Sequence, residues 1–494
     1  MGVFTLAMIN VSAIVSLRGM PAESTYGLSS VFYYIFAAVF FLVPVSLVAE
    51  ELTTGWPQKG GVYRWVGEAF GKKWGFLAIW LQWIESTIWF PTVLTFAAVS
   101  LAFMGPGQRW DEALAANKWY VLIVVLCVYW AATLLNLRGM KTSAGVTKWG
   151  TIIGTIVPGA ILILLGLGYW AGGNPILLDM SWDKLVPDMS NFNNLVLAAS
   201  IFLFYAGMEM SAVHVKDVDN PGRNYPLAIL ISAIITVLIF VLGTLAIGFI
   251  IPNSQINLVQ SLLITYDSYF SFFGLGWMNW ILALALAVGV LAQVTAWVGG
   301  PSKGLYQVGL AGNLPPVMQK RNKNNVQMGI LLIQGGIVTL LSIMFVIMPS
   351  VQSAYQIISQ LTIILYLIMY MLMFASGIYL RYREPNTPRT FRIPGGRTFG
   401  MWVVGGLGLL ASLAAFLVSF IPPNQITVGS STMYILLLVA GTFIFAGIPF
   451  IIHAMAKPSW KRPVDPEDAF EPFGWEKNND SHSTATPSHT ISHE

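Results

Sequence analysis

Twelve apolar stretches, each close to the ~20 residues that a helix needs to cross a bilayer, follow one another along this sequence. Stretches such as 30–50, 120–137 and 329–348 carry few or no charged residues. A composition that is 56% hydrophobic and 10% charged would give a soluble protein apolar surface everywhere, whereas lipid is a solvent that suits it. We therefore predict an all-α polytopic membrane protein, which narrows the function to transport, a channel, sensing or intramembrane catalysis.

The apolar stretches define a transmembrane domain over residues 1–456, followed by a C-terminal tail over residues 457–494. The predicted spans are 2–25, 29–51, 74–104, 118–137, 148–170, 195–215, 226–251, 277–306, 327–348, 354–380, 400–421 and 432–456, with bounds uncertain by several residues. The segment 256–276 is a candidate for an additional short external helix. The tail is rich in Pro, Ser, Thr, Asn, Asp and Glu, which predicts a mobile segment unless it docks on the membrane domain as a plug.

The basic residues predict the orientation in the membrane. Of the 26 lysines and arginines, 22 follow even-numbered spans, so they lie on one face. The positive-inside rule places that face and both termini in the cytoplasm, in a multi-pass protein of the inner (plasma) membrane. The net charge of +4 does not indicate a nucleic-acid partner, because the positive charge is spread over this face. The N-terminus lacks the charged region of a cleavable signal peptide.

The sequence shows no motif of an enzyme or of a metal site. HExxH, P-loop and GxSxG patterns are missing, and the histidines lack metal-ligand spacing. The single cysteine, Cys127, excludes a disulfide within the chain, and its apolar surroundings predict a buried packing thiol. We therefore predict no catalytic residues, no cofactor and no metal.

Two of the predicted spans are interrupted by polar residues and glycine. Helix 1 contains Asn10, Ser12 and Ser16 and continues into 18–21 (Arg-Gly-Met-Pro), and helix 6 contains 205–211 (Tyr-Ala-Gly-Met-Glu-Met-Ser). Broken helices at membrane depth are tolerated where they line a cavity, and a matching pair indicates an inverted-repeat transporter. Freed amides suit a carboxylate and freed carbonyls suit an ammonium, so an amino acid fits both. The alternative is that these are ordinary glycine and serine kinks.

Several motifs carry a resemblance to a known family. They are 204–212 with 219–228 around helix 6, 60–66 (GGVYRWV) after helix 2, and 300–306 with 313–316 at the end of helix 8. These motifs resemble those of the amino acid–polyamine–organocation (APC) superfamily. The segments 49–51, 211–215, 391–396 and 419–423 are similar to its bacterial glutamate:GABA antiporter branch.

The resemblance implies about twelve helices, with helices 1–5 and 6–10 forming a LeuT-like 5+5 inverted repeat. It also implies pH-influenced exchange of glutamate or a related amino acid for GABA or for another amino acid or amine, by alternating access. The sequence departs from the family at three places. Ile14-Val15-Ser16 replaces a glycine-rich break, and Arg18 stands where an aromatic or apolar residue is expected. Gln293 stands where a glutamate is expected. A neutral or aromatic substrate on the same fold, or an amino acid sensor derived from a transporter, therefore stays open.

The two breaks supply most of the predicted substrate-binding residues, through their backbone. They are Ala13, Ile14, Val15, Ser16 and Leu17 on helix 1, and Tyr205, Ala206, Gly207, Met208 and Glu209 on helix 6. Gln293 and Trp297, one turn apart on helix 8, are predicted to add a polar group beside an aromatic wall, although core packing would explain both. Tyr205 and Tyr366 are weaker gate candidates.

Three charged residues at membrane depth have both a functional and a structural interpretation. Glu209 is predicted to couple protons to transport, or else to tie the broken helix together as a neutral acid. Arg18 is predicted to select an acidic side chain, or else to reach the headgroups. Glu85 is a second candidate for proton coupling, a substrate ligand, or an ion-pair partner of Arg18.

Three of the five histidines lie at the end of the tail, at His482, His489 and His493. A histidine with a pKa of ~6.5 gains charge on mild acidification. We predict that these residues sense cytoplasmic pH and weaken the docking of an acidic tail on the basic face. The alternative is a free tail whose histidines have no role.

Overall fold

The structure, a computed structural model, describes residues 2–187, 195–209, 220–424, 426, 428–463 and 469–476. The chain is 76% helical, and no strand occurs within those ranges. The prediction of an all-α polytopic protein is confirmed. The histidines at positions 482, 489 and 493 lie outside the described residues.

The helices follow the predicted spans closely. In chain order they are α1 Val3–Ile14, α2 Met20–Ser24, α3 Gly27–Gly55, α4 Val62–Phe70, α5 Lys72–Ala102, α6 Gln108–Ala115, α7 Lys118–Leu137, α8 Val146–Ala171, α9 Ser200–Tyr205, α10 Pro221–Ile250, α11 Ser261–Phe272, α12 Asn279–Leu310, α13 Met328–Ile347, α14 Val351–Arg383, α15 Phe399–Val418 and α16 Ser431–Ala454. The expected short helix within 256–276 is α11.

Ten of the described helices are long and apolar enough to cross a membrane. The first and sixth predicted spans are not among the ten because each is broken into short pieces. α1 and α2 share the first span, and α9 forms the described part of the sixth. The ten helices and the two broken spans together match the twelve predicted spans.

Helix α5 lies at the centre of the bundle. Within its apolar window 94% of residues are buried, compared with 17% for α16, which therefore presents most of its side chains to lipid. α5 packs against α12 and α14 and also contacts α7. α5 is therefore enclosed by other helices on all sides, as a largely apolar helix must be. The site is built around it.

The structure differs from the sequence analysis in three respects. The loops after helices 2 and 3 each contain a short helix, α4 and α6, which was not predicted because it lacks spanning length. Two arginines of the basic face are buried: Arg64 is 1% exposed, and Arg381 is 0% exposed beside Glu51. Cys127 is exposed on α7 rather than buried, because lipid solvates an apolar thiol as well as the interior does.

Two glycines bring α8 and α12 into direct backbone contact. A Cβ added at Gly154 would lie 2.2 Å from the Cα of Gly289, and one added at Gly289 would lie 2.4 Å from the carbonyl oxygen of Gly154. Gly154 also lies within a π-helical turn, Ile152–Ile156. Small residues spaced four apart, Gly150 and Gly154, are a common means of close helix approach in membranes.

We expect Gly154→Ala to destabilise the protein by about 1–3 kcal/mol, because the new methyl group has to push backbone away from backbone. The measurement is the thermal unfolding midpoint of the purified protein in detergent. Gly336→Ala on α13 is the matched control, since a Cβ there meets nothing within 4 Å. Equal midpoints for the two variants would contradict the assigned contact.

Candidate functional site

The break in helix 1 lies where the sequence predicts it. α1 ends at Ile14, Val15 and Ser16 are extended, and a 3-10 turn Leu17–Gly19 leads into α2. The extended Ser16 (φ −138°, ψ 121°) ends the hydrogen-bond ladder of α1. Backbone groups of both half-helices are therefore available at membrane depth, as a site for a zwitterion requires.

The break in helix 6 follows Tyr205. Ala206 is extended (ψ 150°), and Gly207 has a φ of +112°, a conformation that glycine adopts without strain. The amide of Gly207 donates a 2.9 Å hydrogen bond to the hydroxyl of Tyr370 on α14. A side chain from another helix thus satisfies a donor that unwinding releases.

A cavity with about 390 Å³ of empty volume, partly open to solvent, lies between the two breaks. Its lining combines both broken helices with α5, α12 and α14, and consists of Ile14, Ser16, Arg18, Glu85, Ser86, Trp89, Leu203, Phe204, Ala206, Gln293, Trp297 and Tyr366. The lining is mixed, with aromatic walls and a few polar groups, which is typical of small-molecule sites.

Arg18 lines this cavity and is 4% exposed. Its Nη1 donates a 3.0 Å hydrogen bond to the hydroxyl of Tyr355, and its guanidinium lies 5.3 Å from the ring centre of Trp89 and 5.4 Å from that of Phe204. Its Nε has no hydrogen-bond partner among the described residues. The aromatic rings hold the cation at the break with donor capacity left over.

Glu85 lines the same cavity from α5 and is 2% exposed. Its Oε1 has no hydrogen-bond partner in the described part of the chain, and the described contacts of Arg18 do not include Glu85. A buried carboxyl oxygen without a partner is costly, so it marks a position where a donor from a ligand would be stabilising. The cavity therefore holds a cation and a carboxyl group that do not neutralise each other.

Glu209 is held by three donors and is 3% exposed. Tyr366 donates to Oε1 at 2.5 Å, Tyr370 donates to Oε2 at 2.6 Å, and Gln82 donates to Oε1 at 3.1 Å. Since Tyr370 also accepts from Gly207, the carboxyl group and the helix break belong to one hydrogen-bond network.

A second, larger cavity of about 1380 Å³ of empty volume meets the site from the side of the basic loops. Gln82 and Glu209 line this vestibule, together with residues of the loop 56–61 and the α12 segment 300–307. Tyr366 lines the central cavity instead. The hydrogen bond between Tyr366 and Glu209 therefore joins the walls of two separate spaces.

The predicted binding residues fall into two groups. Ile14, Ser16, Arg18, Ala206, Gln293 and Trp297 line the central cavity together with Glu85, whereas Val15, Leu17, Gly207 and Met208 are not part of its lining. Of Ala13 only the backbone is described, within α1. Tyr205 points away, because its hydroxyl donates to the carbonyl of Tyr34 and its ring packs on Phe240.

The sequence analysis predicted Glu85 but missed several other residues of the site. On α5, Gln82, Glu85, Ser86 and Trp89 fall at i, i+3, i+4 and i+7, which places the three missed residues on the helix face of Glu85. That spacing was the available signal. Tyr355 and Tyr370 gave no such signal, since their partners are far away in sequence.

A further buried carboxyl group, that of Glu23, accepts a 2.5 Å hydrogen bond from Ser200. Glu23 does not line the central cavity.

Part of the tail packs on the short helix α4. Phe473 is fully buried, and the rings of Phe470 and Phe473 lie 4.6 and 4.9 Å from the guanidinium of Arg64. Arg64 also donates to the carbonyls of Glu471 and Pro472. Because Val62 and Trp65 of the same helix line the vestibule, the docked segment 469–476 braces one of its walls.

Comparison with known proteins gives consistent relationships. The amino acid permease family model matches residues 1–445. An uncharacterized transporter of Legionella pneumophila is 40% identical over 451 residues, which cover 91% of this chain and 96% of that protein. The glutamate/gamma-aminobutyrate antiporter of Lactococcus lactis subsp. lactis is 31% identical over 457 residues, covering 92% of this chain and 90% of that protein.

Proposed function

Because the chain belongs to the amino acid permease family and is thus a membrane transporter rather than an enzyme, we propose that it exchanges glutamate or a related amino acid for GABA or another amine. The exchange proceeds by alternating access, in a bacterial inner membrane with both termini in the cytoplasm. The observation that carries this proposal is the cavity between the two broken helices, which is lined by Arg18 and by Glu85, whose Oε1 has no hydrogen-bond partner among the described residues.

The charges of the cavity suit a substrate with separated charges of both signs. Arg18 complements a carboxylate, and Glu85 complements an ammonium. The half-helices 14–18 and 205–209 add backbone donors and acceptors for the α-groups. The 31% identity to the Lactococcus antiporter supports the substrate pair. The aromatic walls formed by Trp89 and Trp297 would also accommodate a GABA chain, which has no α-amino group to place.

Counterflow in proteoliposomes separates exchange from sensing. Liposomes preloaded with unlabelled GABA should accumulate labelled glutamate against its gradient, whereas a protein that only binds substrate would not accumulate label. A competition series with the twenty amino acids and their decarboxylation products then ranks the substrates. Accumulation driven only by neutral or aromatic amino acids would replace glutamate and GABA with that substrate class.

We expect Arg18→Met to weaken glutamate transport about 10- to 100-fold in kcat/KM, because a charge-assisted hydrogen bond contributes about 1.5–3 kcal/mol. Glutamine transport should fall much less, as glutamine lacks the side-chain carboxylate. Equal losses for both substrates would assign Arg18 to the shared α-carboxylate. Adding Glu85→Gln should not rescue the variant, because the described contacts of Arg18 do not include Glu85. Full rescue would indicate a structural ion pair.

We further propose that Glu209 couples protonation to exchange. Glu209→Gln is nearly isosteric and should flatten the dependence of the exchange rate on pH between 5 and 8 while leaving the protein folded. The matched control is Glu23→Gln, a buried carboxyl held by Ser200 away from the cavity, which should keep the wild-type profile. A flattened profile in the Glu23 variant alone would move the coupling role to that residue.

The tail is proposed to restrain the vestibule at neutral pH. Burial raises the pKa of Glu68, which accepts from the amide of Gly474, although that bond and Arg64 act in the opposite direction. The contact that the tail itself supplies, the Gly474 amide, favours the ionised carboxylate, so protonation of Glu68 would weaken this contact. We also assign release on acidification to His482, His489 and His493, because their protonation adds positive charge opposite a basic face.

Deletion of residues 457–494 should raise exchange mainly at neutral pH and leave it unchanged near pH 5, measured in proteoliposomes. Gly67→Ala tests the docked segment without a deletion, since the new Cβ would lie 2.4 Å from the ring of Phe473. Phe272→Ala, at a ring that is 52% exposed on α11, is the control. A pH profile that is the same in all four proteins would contradict a restraining tail.

A further inference from the structure

A third cavity lies at the far ends of α5 and α12, two of the helices that line the central cavity. It contains about 860 Å³ of empty volume, partly open to solvent, where α5 ends and α12 begins, and the loop 103–107, α6 and α11 also line it. At 1.5 Å per residue, Phe103 is roughly 21 Å along α5 from Trp89. The cavity therefore belongs to the face opposite the basic loops and is distinct from the site described above.

Two of the side-chain oxygens that line this cavity are hydrogen-bond acceptors for which the described residues supply no donor. Asp111 is 5% exposed, and its Oδ1 has no hydrogen-bond partner among the described atoms. The Oδ1 of Asn279 is likewise buried and unpartnered, while its Nδ2 donates to Asp267. All three residues line the cavity. A buried acceptor that lacks a donor is costly, so the arrangement favours a ligand that brings donors.

The charge of the cavity has one sign. Its described lining contains two carboxyl groups, Asp111 and Asp267, and no lysine, arginine or histidine. Burial raises the pKa of both carboxyl groups, while hydrogen bonds from the backbone of Gly107 to Asp111 and from Asn279 to Asp267 act in the opposite direction. Repulsion raises the pKa of Asp111 further through Asp267 and Glu112, and that of Asp267 through Glu112. A bound cation would relieve this repulsion as well as the missing hydrogen bonds.

The size of the cavity and the residues that line it favour an organic cation over a metal ion. A calcium ion requires six to eight oxygen ligands at short range, but this cavity is large and offers few side-chain oxygens. Its walls include the aromatic rings of Tyr266 and Trp280, whose faces attract organic cations. We propose that this cavity is a second binding site, which takes the primary ammonium group of a small organic amine between Asp111, Asp267 and Asn279. The proposal does not depend on the exchange reaction proposed above.

A local thiol reporter tests this site separately from the central cavity. Gly276 lines the cavity, its φ lies outside the left-handed region that favours glycine, and a Cβ there would meet nothing within 4 Å. In the full-length Cys127→Ala protein in detergent, Gly276→Cys would be reacted with uncharged methyl methanethiosulfonate at constant ionic strength. Putrescine at about ten times its dissociation constant should slow the reaction about tenfold. Uncharged 1,4-butanediol and calcium chloride should have no effect.

The carboxyl groups should account for the protection. Asp111→Asn with Asp267→Asn should abolish it, whereas Asp179→Asn with Asp183→Asn, in an exposed loop, should leave it intact. Met104→Cys serves as a second reporter in the cavity, and Trp182→Cys, at a site 85% exposed elsewhere, should show no protection. The proposal is overturned by equal protection from butanediol, by protection from calcium, by protection that survives the double Asn change, or by no protection at either cavity reporter.

Discussion

The amide of Gly207 has to find a partner at membrane depth, and the whole site depends on how it does so. Lipid supplies no hydrogen bonds, so an unwound helix is stable only if protein groups satisfy it. Here Tyr370 accepts from that amide and donates to Glu209, which also accepts from Tyr366 and Gln82. One chain of hydrogen bonds thus joins helix 6, α14 and α5. The same bonds that permit the break also hold a carboxyl group at the boundary of two cavities.

The central cavity uses its charges differently from a structural ion pair. A buried pair in contact, such as Arg381 with Glu51, satisfies itself and leaves little for a ligand. Arg18 is instead held by aromatic faces and by a neutral hydroxyl, and Glu85 keeps an oxygen free of described partners. A zwitterion that pairs with both groups would offset the cost of burying them. This is a physical basis for binding substrates with charges of both signs.

The fold was predictable from the sequence, and half of the site was as well. Spans with few charges predicted the long helices. The polar residues near Ser16 and Gly207 predicted the breaks, because polar groups at membrane depth are costly and are therefore rare without a structural or functional reason. On α5 only Glu85 was predicted; Gln82, Ser86 and Trp89 share its face, but this short polar pattern lies within a helix that is otherwise apolar and enclosed on all sides. Tyr370 was unpredictable, as its bond to Gly207 spans 163 residues. Short helices such as α4 were not predicted, because only a long apolar stretch indicates a membrane-spanning helix in the sequence.

The contact of Gly154 with Gly289 bears on how the two halves of the protein can move. Where backbone touches backbone, no side chains interdigitate, so the crossing has no ridges to hold its angle. The π-helical turn at the same place leaves the ladder of α8 locally loose. Such a crossing keeps its separation while its angle changes. α8 and α12, one from each predicted repeat, would then rotate relative to each other about the contact between Gly154 and Gly289.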